Sequence, residues 1–124
     1  MSEFPVERFA VKRVYEPVRT GDGTRVLVDR LWPRGVTKGD AHVALWLKDI
    51  APSSELRRWF GHNSKRWKEF RERYREELAA KSALIAQLNE LADNRRVTLI
   101  YSARDPMHNQ ARVLAEYLDP PPGP

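Results

Sequence analysis

Arg104, Asp105, His108 and Asn109 crowd directly behind an apolar run, VTLIY (Val97 to Tyr101), with Ser102 between them and the run. An arginine fork meets a phosphate or carboxylate with two parallel hydrogen bonds. An imidazole with a reference pKa of about 6.5 moves protons near neutrality. A second cluster, Asp29, Arg30, Trp32 and Arg34, stands behind another apolar run, Val26-Leu27-Val28. Together the clusters suggest a site for a small anionic molecule. Arg34 and Arg104 would hold the anion, with Arg30 and Asp105 nearby. Asp29 and His108 are the acid–base candidates, and Ser102 and Asn109 would orient the ligand.

Each residue also has a plainer role. Asp105 before Pro106 is a strong helix start, because Asp accepts from free backbone N–H groups and Pro suits the first helical position. Asp29 and Arg30 can form an ion pair at a strand end. Trp32 can pack as core or lid, and His108 can be a polar surface residue. Ser102 lacks the Gly-x-Ser-x-Gly elbow of an activated serine.

Other chemistries lack their residues. The chain has no Cys, which removes thiol nucleophiles, thiolate zinc sites and disulfides. His42, His62 and His108 have no ligand spacing, so no metal is expected. There is no phosphate-binding Walker loop and no Gly-x-Gly-x-x-Gly, and no cofactor is expected. The net charge of +5 favours anionic partners. A nucleic-acid module is the alternative reading, with Arg57, Arg58, Lys65, Arg66 and Arg71 as its footprint and salt-sensitive binding as its signature. An exposed aromatic patch around Trp59 and Trp67 would instead mark a protein-interaction surface. The bland reading of the same stretch is an amphipathic helix with Trp59 and Phe60 facing the core.

The elements that must position these residues follow from periodicity. FAVKR alternates and reads as a strand from Phe9, whose direction the sequence leaves open. Val26-Leu27-Val28 and VTLIY are continuous apolar runs, as expected of strands buried on both faces. Residues 44–50 fit either a short strand or a helical turn. Ser53 or Ser54 caps a helix that stops at Gly61. Trp67, Phe70, Tyr74 and Leu78 share one face of a longer helix. Leu84, Ile85, Leu88 and Leu91 form a second stripe after a break near Lys81 and Ser82. The last helix is expected from Asp105–Pro106, with Met107, Ala111, Leu114 and Leu118 on one side. At 124 residues this is a single α/β domain over 1–118, with a small, mainly parallel sheet flanked by helices. Residues 119–124 read as a disordered Pro-rich tail. If the two apolar runs are parallel neighbours, both polar clusters share one rim, where ligands bind in open parallel sheets.

The stretches KRVYEP, DGTRVLVDRLWPRG, LKDIAPSSELRRWFGH, FRERYREEL and VTLIYSARDPMHNQARVLAEYL occur in this order over almost the whole chain. On them the chain resembles the YeaO-like family, a branch of domain of unknown function 488. The resemblance implies a small bacterial cytoplasmic α/β domain and supplies no activity. Some members are labelled MarR-type regulators, but no winged helix-turn-helix layout is visible here. In the wider group the last strand and turn often carry cysteines, where this sequence has Tyr101 and Asn109. A thiol or metal role does not carry over to those positions. No apolar run is long enough to span a bilayer and no secretory signal is visible, so no membrane partner and a cytoplasmic location are expected. The oligomeric state is not fixed by the sequence.

Overall fold

Four parallel strands form one sheet in the order β1-β4-β2-β3. They are β1 (Phe9–Arg13), β2 (Thr24–Leu27), β3 (Leu45–Trp46) and β4 (Val97–Tyr101). The computed structural model describes residues 7–120. The tail expected at 119–124 therefore lies largely outside the described residues. The helices are α1 (Lys38–Ala41), α2 (Ser54–Phe60), α3 (Trp67–Ala79), α4 (Ser82–Asn94) and α5 (Gln110–Leu118). The chain is a single small α/β domain, its parallel sheet flanked by helices.

The central strands are the continuous apolar runs for a physical reason. β4 lies between β1 and β2, so all five of its residues are buried. Val97, Leu99 and Tyr101 pack into the larger core with Val26, Val28 and residues of α2 to α5. Leu27 and Ile100 face the other way, onto Val14 and Ala41, with Trp32, Val36 and Val43 around them. One face of the sheet thus carries the thick helical layer and the other a thin cover. The first strand, whose direction was open, runs parallel to β4, pairing Phe9 with Val97 and Arg13 with Tyr101.

Two helix boundaries follow their caps. Ser53 Oγ accepts from Leu56 N, and Gly61 closes α2 in the left-handed region at φ 51°. The stretch 44–50 is both of its alternatives in turn: β3, then a 3-10 turn over Lys48–Ile50. On α3, Phe70, Tyr74 and Leu78 are buried, and the Tyr74 hydroxyl donates to the Ile50 carbonyl at 2.7 Å. Burial of the ring pushes that phenol's pKa up.

The last helix corrects the sequence reading. It begins at Gln110, capped by Asn109, rather than at Asp105–Pro106. Two cap residues compete here, and the second wins. Asn109 Oδ1 accepts from Arg112 N at 3.1 Å, with Asn109 itself extended at φ −142°. Asp105 spends Oδ1 on the backbone of Met107 and His108, closing a local turn instead. Met107 is accordingly exposed and outside the apolar face of α5. His108 precedes the helix and does not sit in its first turn.

Candidate functional site

β2 and β4 are direct parallel partners, so their C-terminal tips meet at one rim. An open groove of about 1080 Å³ lies there, and Asp29, Arg30, Arg34, Ser102, Arg104, Asp105, His108 and Asn109 all line it. The structure therefore brings together every site residue expected from the sequence. It commits some of them to protein partners and leaves the guanidinium groups of Arg34 and Arg104 without one among the described residues.

Asp29 is a tie between strand and helix. It is 8% exposed and holds three donors. Ser102 N and Oγ donate to its Oδ2 at 3.0 and 2.6 Å, and Gln110 Nε2 donates to Oδ1. Its backbone carbonyl accepts from Trp46 Nε1 at 2.7 Å. Asp29 thus joins the tips of β2 and β4 to the start of α5. Burial raises its pKa, and the hydrogen bonds from Ser102 and Gln110 and the charge of Arg57 offset that only in part. The Asp29–Arg30 ion pair does not form; Arg30 Nε instead points at the Pro52 carbonyl, 3.5 Å away. Ser102 is equally committed, since its hydroxyl is on Asp29 and its carbonyl accepts from Arg13 Nε at 3.2 Å.

His108 pairs with Asp105 rather than with Asp29. Nδ1 lies 2.8 Å from Asp105 Oδ2. The backbone N–H of Met107, then the His108 ring, lower the Asp105 pKa. An ionised carboxylate only accepts, so Nδ1 carries the proton and Nε2 is the nitrogen left for other contacts. The His108 ring meets Trp67 edge to face, with centroids 5.1 Å apart. Asn109 is 2% exposed, and its amide is used by Arg112 N and by the Asp105 carbonyl at 3.0 Å. It frames the rim and has no amide atom turned to a ligand.

The arginines behave oppositely. Six arginines line the groove against two aspartates. Arg13 is held by the Ser102 and Ala103 carbonyls and lies over the Tyr15 ring at 4.5 Å. Among the described residues, the guanidinium groups of Arg34, Arg57, Arg58 and Arg104 have no hydrogen bond or ion pair to protein. All four are exposed. The loop bearing Arg34 is held in place by the Tyr15 hydroxyl, which donates to the Arg34 carbonyl at 2.8 Å. Trp32 closes the same loop by donating to the Val36 carbonyl at 2.6 Å and packs edge-on against Trp46.

Arg13, Arg57 and Arg58 were not among the expected rim residues. The helix cap at Ser53 signals where α2 starts, but nothing local says that its arginines face the tips of β2 and β4. The footprint expected for nucleic acid is divided accordingly. Arg57 and Arg58 join the groove, Arg66 binds the Trp59 carbonyl and stacks on its ring, and Arg71 pairs with Glu116 at 2.6 Å. Among the described residues, the exposed aromatic patch expected around Trp59 and Trp67 does not form. Trp59 and Trp67 are both half-buried, Trp59 beneath Arg66 and Arg73, and Trp67 against Phe60 and Phe70.

The family model DUF488-N3i, described as the inactive DUF488-N3 subclade, matches residues 8–121. The chain belongs to this family. An uncharacterized protein of Mycobacterium tuberculosis is 46% identical over 112 residues, which is 90% of this chain and 94% of the relative. The uncharacterized protein YeaO of Escherichia coli K12 is 45% identical over 107 residues, 86% of this chain and 93% of YeaO. No solved structure gives a significant match. For this DUF488-N3i chain, the described residues contain no helix long and apolar enough to cross a membrane. They also contain no group of three or more His, Asp or Glu side chains placed to hold a metal.

Proposed function

We propose that this DUF488-N3i protein binds a small anionic ligand in the groove at the C-terminal rim of its sheet, and that it binds without turning the ligand over. The carrying observation is the set of guanidinium groups at Arg34, Arg57, Arg58 and Arg104, gathered in one concavity with no protein acceptor among the described residues. Four such charges repel each other, and an anion in their midst removes that cost while gaining charge-assisted hydrogen bonds. Binding without turnover accords with the family's description as inactive and with a chain that contains no Cys. Asp29 and Ser102, which follow β2 and β4, already satisfy one another. Nε2 of His108, left as an acceptor by the Asp105 contact, would fix one edge of the ligand by taking a hydrogen bond from a hydroxyl of it. The nucleic-acid alternative keeps only Arg57 and Arg58 in the groove.

Titration calorimetry with inorganic phosphate at low salt tests this. Wild type is expected to bind, and Arg34→Gln and Arg104→Gln are each expected to weaken binding by about tenfold without loss of thermal stability. A charge-assisted bond contributes about 1.5–3 kcal/mol, and exposure of both side chains keeps the loss at the lower end. Unchanged binding in both variants would refute the reading.

A further inference from the structure

We infer that the ligand of the groove is a polyanion: a small molecule with two or more carboxylate or phosphate groups, held at separate points by arginines from different stretches of chain. This rests on the anion-binding reading above and specifies the ligand class. Charge is the first argument. A monoanion is saturated by one or two guanidinium forks, since each fork offers two parallel donors to one carboxylate or phosphate. The groove presents Arg34, Arg57, Arg58 and Arg104 without protein acceptors, and its two aspartates offset only part of their charge. Asp29 is occupied by Ser102 and Gln110, and Asp105 by its own turn and His108. One monoanion would leave most of the positive charge facing itself.

Origin is the second argument. Arg34 follows β2, Arg57 and Arg58 belong to α2, and Arg104 follows β4. Arginines on three separate stretches can each meet a different charge of one ligand, which suits a molecule with charges at several places. Size is the third. Pockets for small molecules run to roughly 300–1,000 Å³, and this groove is about 1080 Å³, far more than a single phosphate fills. Tyr15 and Leu31, 47% and 67% exposed, line the same groove and offer apolar surface to the carbon skeleton of such a molecule. A nucleic-acid strand is the weaker fit. Of the basic residues that would extend the track beyond the groove, Arg66 is held by Trp59 and Arg71 by Glu116, and none of Lys65, Lys68 or Arg75 lines the groove.

The test compares polyanions with their monoanionic counterparts by calorimetry at low ionic strength. The probes are pyrophosphate against orthophosphate, citrate against acetate, and a twelve-residue oligothymidylate. The expected result is at least tenfold tighter binding of pyrophosphate or citrate than of its counterpart. Arg34→Gln, Arg57→Gln and Arg104→Gln are measured with the preferred polyanion, and at least two of them, from different stretches, should each weaken it tenfold or more. Equal binding of polyanion and monoanion would overturn the inference and leave the simpler anion site standing. A polyanion sensitive to only one arginine would overturn it as well. Absence of binding by every probe would overturn both readings. Oligothymidylate binding more tightly than either small polyanion would assign the groove to nucleic acid instead.

Discussion

Strand β2 has a buried aspartate just beyond each end, and the two are handled in opposite ways. Before its N-terminus, Asp22 is surrounded by cations. Lys12 Nζ lies 3.0 Å from Oδ1, Arg25 donates to Oδ2 at 2.6 Å, and Arg19 N adds a third donor. Arg25 is itself satisfied, with Nε and a terminal nitrogen on the Ala41 carbonyl at 3.2 and 3.0 Å. Thr98 closes the cluster by donating to the Asp22 carbonyl at 2.6 Å. Gly23 lets the chain turn there at φ 66°, where a Cβ would lie 2.1 Å from the Arg96 carbonyl oxygen. After the C-terminus, Asp29 is bound by neutral donors while arginines stand nearby without acceptors. Burial works against the charge of both carboxylates. At Asp22 the bonds from Lys12, Arg19 and Arg25 outweigh it and the pKa falls; at Asp29 it prevails and the pKa rises. One end of the sheet has balanced its charge internally; at the other, Arg34, Arg57, Arg58 and Arg104 have no protein acceptor among the described residues.

The sharpest break of that contrast is Arg25→Leu. Removing one partner of a buried pair costs about 3–5 kcal/mol where the other charge is left uncompensated, and Asp22, which keeps Lys12, should fall at the lower end of that range. Arg25 is 4% exposed and Asp22 9%, so the variant is expected to lose that much in urea unfolding. Anion affinity of the folded fraction should be unchanged. A loss below about 1 kcal/mol would mean the two ends of β2 are not as different as their hydrogen bonds imply.

Acidification sharpens the comparison with a smaller effect. The folded-state pKa of Asp22 lies below its unfolded value. Its contribution is therefore complete above the unfolded pKa, near 3.9, and is lost as pH falls through the folded one. Asp29 has the reverse sign. The folded protein holds its proton more tightly than the unfolded chain does, so raising pH through the raised pKa lowers stability, by at most about 1.4 kcal/mol per pH unit. Stability profiles of wild type, Asp22→Asn and Asp29→Asn should separate the two. The difference between wild type and Asp29→Asn is expected to shift against wild type as pH rises above 4. The difference between wild type and Asp22→Asn is expected to shift in favour of wild type as pH rises from the lowest values. A single common profile would refute the opposed signs.

The same contrast explains how much could be read in the sequence. The runs Val26-Leu27-Val28 and VTLIY announce strands covered on both faces, and their shared direction follows from the long helical segment between them. That much places Asp29, Ser102 and Arg104 at one rim. Three things are not local. A residue's type does not say whether its hydrogen-bonding atoms are already taken, and Asn109 and Ser102 turn out to be fully used. Asp105–Pro106 reads as the helix start and Asn109 as a ligand contact, and only the folded chain shows that Asn109 is the one that reaches the N–H groups of the helix. Finally, Arg57 and Arg58 read as part of a basic helix until folding turns them toward the tips of distant strands. Lys12 and Asp22 carried no motif either, since their partnership depends on β1 and β2 standing on opposite sides of β4.

A surface pair gives the scale on which the buried one should be measured. Arg73 pairs with Glu69 one turn earlier on α3, and its guanidinium lies over the Trp59 ring at 4.4 Å. Both side chains of the pair are about half exposed, at 49% and 51%. Water screens the charges and holding two long side chains still costs entropy, so the ion pair contributes about 0.3–0.5 kcal/mol. The stacking on Trp59 adds roughly 0.5–1 kcal/mol at such a site. Arg73→Ala is therefore expected to lose no more than about 1.5 kcal/mol, and part of that loss should disappear in 1 M salt. Glu69→Gln removes only the ion pair and should cost less than Arg73→Ala. If Arg73→Ala cost as much as Arg25→Leu, burial would not be what makes the Asp22 cluster strong, and the contrast between the two ends of β2 would lose its physical basis.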